Sequence, residues 1–351
     1  MSEPRQEYGI LEVPEVNGDQ PARPLPGIVD AAEFLAEKLT PPPELVYGIL
    51  HQGSKMVLGG GSKTFKTWSL TDLALAVALG EPWLSFKTTK GRVLFLNFEI
   101  PPVFFQQRIK AVTSEKGITL SPGQFDIWNL RGHSAGYDVI IPRIIERVEG
   151  SGYLLIVLDP VYKLYGETDE NKAGEVARLL NALEWLTVDT RAAVAFGAHY
   201  SKGNQAAKES IDRISGSGVF ARDPDTILNF TRHETNDAFT VEATLRNFKP
   251  VPPFVVRWQF PLMRRADELD PAKLKQPAGR PKKYSVSSIL GCLKGKRLTT
   301  SKWLERASSE IGIPRTQFYE LLKEAKQMPG VKQDRREQWF YKQPKEPPAK
   351  S

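Results

Sequence analysis

Between residues 54 and 199 two hydrophobic patterns alternate along the chain. Short, almost unbroken apolar runs, "SKMVLGG", "RVLFLNFEI", "FDIWNL", "YLLIVLDP" and "AAVAFGAHY", predict strands covered on both faces of a parallel sheet. Between them lie "KTWSLTDLALAVALG", "PPVFFQQRIKAVTSEKG", "VIIPRIIERVEG" and "AGEVARLLNALEWLTVDT", whose apolar residues recur at helical spacing. Gly80 stands where the first helix needs a C-terminal cap, and Pro142 fits the first turn of the third. Strand and helix in succession point to an α/β domain, a mostly parallel sheet flanked by helices. After residue 225, "TILNFTRHE", "AFTVEATLRN" and "FVVRWQF" alternate with period two and predict antiparallel strands that extend this sheet.

The flanks read differently. Residues 1–26 carry Pro, Gly and Glu with little periodicity and read as a flexible arm. "GIVDAAEFLAEKL" predicts a short amphipathic helix, and "TPPPELVYGIL" an extended linker, because Pro does not continue a helix. The α/β domain is expected over 27–265, followed by a Pro- and Lys-rich linker over 266–284. A small domain over 285–345 has three helical segments, "SVSSILGCLKGKRL", "TTSKWLERASSEIG" and "IPRTQFYELLKEAKQM", then a hairpin, "VKQDRREQWFYK", with its tip at "DRRE". Thr300 or Ser301 fits an N-cap, Gly312 a turn, and Pro314 the opening of the last helix. This arrangement resembles a winged helix-turn-helix.

Composition narrows the function. The single cysteine, Cys292, rules out a disulfide framework and a cysteine-based zinc site. No apolar run approaches the roughly 20 residues that cross a bilayer, and the polar, acidic start is unlike a signal peptide. A cytoplasmic protein with no membrane partner is expected. The net charge of +7 is unevenly distributed: residues 271–351 hold 19 Lys and Arg against 7 Asp and Glu, leaving the first 270 residues slightly acidic. A basic module beside a near-neutral domain suggests a polyanion partner for the module. Arg315, Gln317 and Tyr319 at the start of its last helix, and Arg335 and Arg336 at the hairpin tip, are candidates for DNA contact.

The chemistry concentrates at "GGGSKTFKT", where a Gly-rich loop joins a strand to a helix. Backbone N–H groups at such a helix start, with the positive end of its dipole, favour phosphate oxygens. Gly60, Gly61, Ser62, Lys63, Thr64, Phe65, Lys66 and Thr67 form the candidate nucleotide-binding set, for ATP with Mg²⁺. Lys66 is placed for the β- and γ-phosphates and Thr67 for Mg²⁺, while Lys63 is equally able to touch phosphate or solvent. Phe65 stands where the usual pattern has its second glycine, a defect the loop survives if the ring turns away from the phosphates. Asp159 closes "LLIVLDP" and is placed to orient the Mg²⁺ water shell. No acid follows it, since residue 160 is Pro, so a water-activating base must come from elsewhere. Glu99, read as closing "VLFLNFE", is the candidate; the alternative is a helix-capping acid before "PPVFF".

"GGSKTFKTW", "FLNFE", "LIVLDP" and "GAHYSKG" followed by "RISGSG" together resemble RecA-like ATPases, in particular the family that includes the RepA hexameric replicative helicase of broad-host-range plasmids. The resemblance spans about residues 45–230. It implies a RecA-like ATPase that assembles as a homo-oligomer, a hexameric ring in that family, and passes single-stranded DNA through the ring; the winged-helix reading places duplex DNA on the C-terminal domain. It assigns the base to Glu99 and γ-phosphate sensing to His199. It also calls for a cation from a neighbouring subunit, with Arg213 and Arg222 as candidate fingers. Lys202 and Lys208 on the polar segment between would follow a strand's phosphates. A nucleotide-switched DNA-binding regulator and a recombination or repair ATPase are the alternatives to a helicase-like replication protein.

Overall fold

The computed structural model describes residues 25–133, 135–166, 173–199, 223–275 and 284–342. The described residues up to Pro43 form one compact unit and those from Glu44 another. In the first, helix α1 (Ala31–Ala36) is shorter than its pattern suggested. Asp30 caps it, its carboxylate accepting from the Ala32 N–H at 2.8 Å, and none of its residues is buried. Too few apolar side chains find partners here to lengthen it.

The second unit opens with a correction. "ELVYGIL" is not a linker but a small hairpin, β1 (Glu44–Val46) and β2 (Leu50–His51), turned at Gly48 with φ 72°. Leu45, Val46, Ile49 and Leu50 are buried in the main core, and this apolar gain fixes the segment. The chain continues through β3 (Lys55–Gly60), α2 (Lys66–Leu79), β4 (Arg92–Asn97), α3 (Pro102–Lys116), β5 (Phe125–Asn129), α4 (Tyr137–Val148), β6 (Tyr153–Asp159), a 3₁₀ turn (Val161–Tyr165), α5 (Ala173–Thr190) and β7 (Ala193–His199). Then follow β8 (Thr226–Arg232), β9 (Ala238–Leu245), β10 (Phe254–Gln259) and β11 (Leu262–Arg265).

Among the described residues nine strands form the central sheet, in the order β11-β10-β9-β8-β3-β7-β6-β4-β5. β8 is parallel to β3 and antiparallel to β9, so the change of direction falls one strand later than the alternating runs implied. β11 was not legible as a strand, being short and half polar. α4 begins at Tyr137, which moves Pro142 from the first turn into the helix interior.

The unbroken apolar strands are explained by two cores, one on each face. Along β6, Leu155 and Val157 enter the core shared with α2 and α3, while Ile156 and Leu158 enter the core shared with α4 and α5. β4 and β7 alternate in the same way. The C-terminal ends of β3, β7, β6 and β4 therefore lie side by side, with Gly60 in register with His199 and Asp159 with Asn97.

The C-terminal part has its own core around Trp303, Phe318, Leu322 and Trp339, built by α6 (Val286–Gly291), α7 (Thr300–Ile311), α8 (Arg315–Ala325) and a hairpin of β12 (Val331–Gln333) with β13 (Trp339–Tyr341). The N-cap of α7 is Thr299, one residue before the expected candidates, and Pro314 is the N-cap of α8. Tyr284 belongs to this core too, its hydroxyl donating to the Gly312 carbonyl at 2.6 Å.

Candidate nucleotide site

β3 delivers the chain to the phosphate loop at Gly60, and α2 leaves it at Lys66. At Gly60 a Cβ would stand 2.6 Å from the Thr64 hydroxyl, so any larger residue would force Thr64 to shift. No side chain caps α2, so the N–H groups of its first turn are left for another acceptor. Phe65, the N-cap, is left-handed at φ 58° and ψ 27°. This is the conformation a glycine would take freely, and an L side chain adopts it at a cost of about 1–2 kcal/mol. Its ring packs against the main core. It stacks on Trp258 of β10 at 4.2 Å between centroids and meets Phe239 of β9 edge-on at 6.1 Å.

The Lys66 ammonium donates to the carbonyls of Gly60 and Gly61 at 2.9 and 3.0 Å and lies 3.4 Å from His199 Nδ1. Burial lowers its pKa from 10.5 to about 8, opposed by the Asp159 carboxylate. Asp159 is itself raised by burial to about 6, while a hydrogen bond from the Thr67 hydroxyl and the Lys66 charge pull it back and Glu99 pushes it further up. Burial and the neighbouring lysine hold the His199 imidazole below its usual value, so it is neutral at pH 7 and offers Nδ1 as acceptor to Lys66. Gly197 lies beside these groups, where an added Cβ would make ordinary contacts, 3.4 Å from Asp159 Oδ1 and 3.9 Å from Lys66 Cβ.

Glu99 does not close its strand. β4 stops at Asn97, and Glu99 sits exposed in the turn that follows. Buried Asn97 builds that turn. Its amide donates to the Ile100 carbonyl at 2.7 Å and to Asn129 Oδ1 at 2.9 Å, and its carbonyl accepts from the Ile100 N–H at 2.9 Å. The Phe98 N–H binds the Asp159 carbonyl at 3.0 Å, which ties the turn to the neighbouring strand end.

Lys66, Thr67, Asp159, His199 and Glu99 thus gather at the C-terminal ends of the strands, where the Glu99 charge acts on both Asp159 and His199. Arg108 of α3 joins them: burial pulls its pKa down, and the charges of Asp159 and Glu99 counter this. Its guanidinium lies 5.0 Å from the Trp68 ring centroid. The sequence held signals for Asn97 and Arg108. Asn97 is the polar interruption of an apolar strand, and Arg108 interrupts the buried stripe of Phe105, Ile109 and Val112. Arg232 on β8 carries no signal in the sequence; it donates to the carbonyls of Ser62 and Lys63, both at 3.3 Å. Lys63 is exposed and left-handed, with φ 59°. Arg213, Arg222, Lys202 and Lys208 lie outside the described residues.

The donors suit a hard cation and a phosphate. A hydroxyl bonded to a buried carboxylate is an oxygen-only set of the kind that holds Mg²⁺ beside phosphates. Among the described residues no cluster of three or more His, Cys, Asp or Glu offers a competing metal cage. In the C-terminal part, Arg315, Gln317 and Tyr319 are exposed on α8, and Arg335 and Arg336 are exposed at the hairpin tip. Asp334 shapes that tip, accepting from the N–H groups of Arg336 and Gln338 at 2.9 and 3.1 Å. No helix among the described residues is long and apolar enough to cross a membrane.

A comparison with curated proteins finds no match. The family model described as an AAA domain matches residues 19–205, over half of the chain and the whole stretch from the phosphate loop to the cleft histidine. With a Gly-rich phosphate loop, its lysine and threonine, and an aspartate at the end of β6, the chain belongs to the AAA domain family of P-loop ATPases.

Proposed function

We propose that this ATPase is a DNA-acting motor, a helicase-like replication protein that binds ATP with Mg²⁺ and works as a homo-oligomer. One observation carries the hydrolytic part: Glu99 stands in the same cleft as Lys66, Thr67 and Asp159, on a turn built by a buried asparagine. Lys66 and the first-turn N–H groups of α2 bind the phosphates. Thr67 and Asp159 hold the Mg²⁺, which supplies charge neutralisation at the transferring phosphoryl group. Glu99, exposed and acidic, takes the proton of the attacking water, and neutral His199 reads the γ-phosphate beside Lys66.

The DNA part rests on charge and exposure. The module from Tyr284 onward is read as a winged helix: α8 presents Arg315, Gln317 and Tyr319 to a groove, and the wing tip adds Arg335 and Arg336 against phosphates. Single-stranded DNA is taken by the ring of ATPase domains.

The test combines ATPase rates, with and without single-stranded DNA, and strand displacement on a forked duplex. A motor shows stimulation and unwinding. Slow, DNA-insensitive turnover without displacement would leave a nucleotide-switched regulator instead. Glu99→Gln should still bind ATP while hydrolysis falls at least about 100-fold; normal turnover by this variant removes Glu99 as the base.

A further inference from the structure

We propose that the antiparallel half of the sheet clamps the phosphate loop in its nucleotide-binding shape, with Phe65 as the anchor, so that Phe65 is a positioning residue and not a decayed glycine. The proposal rests on reading Lys66 and Thr67 as the nucleotide site.

Two non-glycine residues of the loop, Lys63 and Phe65, hold φ of 59° and 58°. Left to itself, an L residue relaxes out of this region, because its Cβ crowds the following carbonyl. Three strands supply what prevents it. β8 gives Arg232, whose guanidinium bonds the Ser62 and Lys63 carbonyls at 3.3 Å each and lies 5.7 Å from the Phe239 ring centroid. β9 gives Phe239, and β10 gives Trp258, on which the Phe65 ring stacks with an interplanar angle of 8°. Phe65 and Trp258 both pack against the main core, so the loop is fastened to it.

A glycine at this position supplies the left-handed angle freely but leaves the loop to be ordered at each binding event. The phenylalanine inverts this. The angle is held by packing, and the loop is ordered before nucleotide arrives, which lowers the entropy lost on binding. The substitution that restores the usual phosphate-loop pattern should therefore damage this protein.

The experiment compares wild type with F65G, F65Y, W258L and the double variant F65G/W258L. MgADP affinity is measured with a fluorescent analogue, kcat and KM for ATP by turnover, and amide hydrogen exchange over residues 61–67 without nucleotide. F65G is expected to weaken MgADP binding and raise KM about tenfold, leave kcat within about threefold, and speed loop exchange about tenfold. F65Y keeps the ring and restores wild-type values. The double variant loses no more than the worse single one, because both remove the same contact. If W258L fails to fold, the F65G and F65Y pair still decides. F65G that binds as tightly as wild type, with unchanged exchange, overturns the clamp. Wild type that binds neither MgADP nor MgATP overturns the nucleotide reading instead, and the exchange measurement still judges the clamp by itself.

Discussion

Asn97 offers the sharpest test of how the cleft is built. It is 1% exposed and makes three hydrogen bonds of 2.7–2.9 Å that close the Asn97–Ile100 turn and fasten it to Asn129 on β5. At about 1 kcal/mol net per bond, Asn97→Ala removes at most about 3 kcal/mol, since Asn129 is exposed and Ile100 half-buried and both reach water once their partner is gone. In a domain of this size that lowers the thermal midpoint by up to roughly 6–12 °C. The catalytic effect should be larger. With the turn loosened, the Glu99 carboxylate shifts, and a misplacement of about 1 Å costs about 100-fold in rate. KM should stay near wild type, because Lys66 and Thr67 belong to α2, which the turn does not support. The assay is steady-state ATP turnover with a thermal melt on the same preparation, repeated on a Glu99→Gln background. There the Asn97→Ala loss of kcat should vanish, because the group it misplaces is already disabled. An Asn97→Ala protein that melts earlier but keeps kcat within twofold of wild type refutes the positioning role.

Two further outcomes follow from the same geometry. Lys66 titrates near pH 8 in the free protein, below its ordinary 10.5, and phosphate binds the charged form. Binding therefore takes up a proton above that pH, and MgADP affinity should fall about tenfold per pH unit from about 8 upward; a flat profile to pH 9.5 contradicts this. Replacing Arg335 and Arg336 together by Ala should weaken duplex binding on every sequence and reduce the slope of log affinity against log salt by about 1–2, as read by titrations at several salt concentrations; an unchanged slope takes the hairpin tip off the DNA.

The register of strands and helices was legible because burial on both faces writes a continuous apolar run, and helix faces write a 3.6-residue period. Gly80 and Gly312 both sit left-handed at helix ends where their positions implied. The pattern misjudged segments whose fate depends on distant partners. "ELVYGIL" follows a run of prolines and reads as a linker, yet its four apolar residues belong to the main core; α4 opens at Tyr137, two residues before the run that predicts it, which puts Pro142 beyond the first turn.

The sequence alone determined the phosphate loop, the acid of β6 and the alternation that brings strand ends together, because each is set by residues close along the chain. Only the tertiary structure decided where Phe65 points, which residue supports Glu99, and that Arg108 and Arg232 border the cleft. Trp258 lies far along the chain from Phe65, and Arg232 far from Ser62. Contacts of that span leave no local periodicity, since what joins them is the order of strands in the sheet.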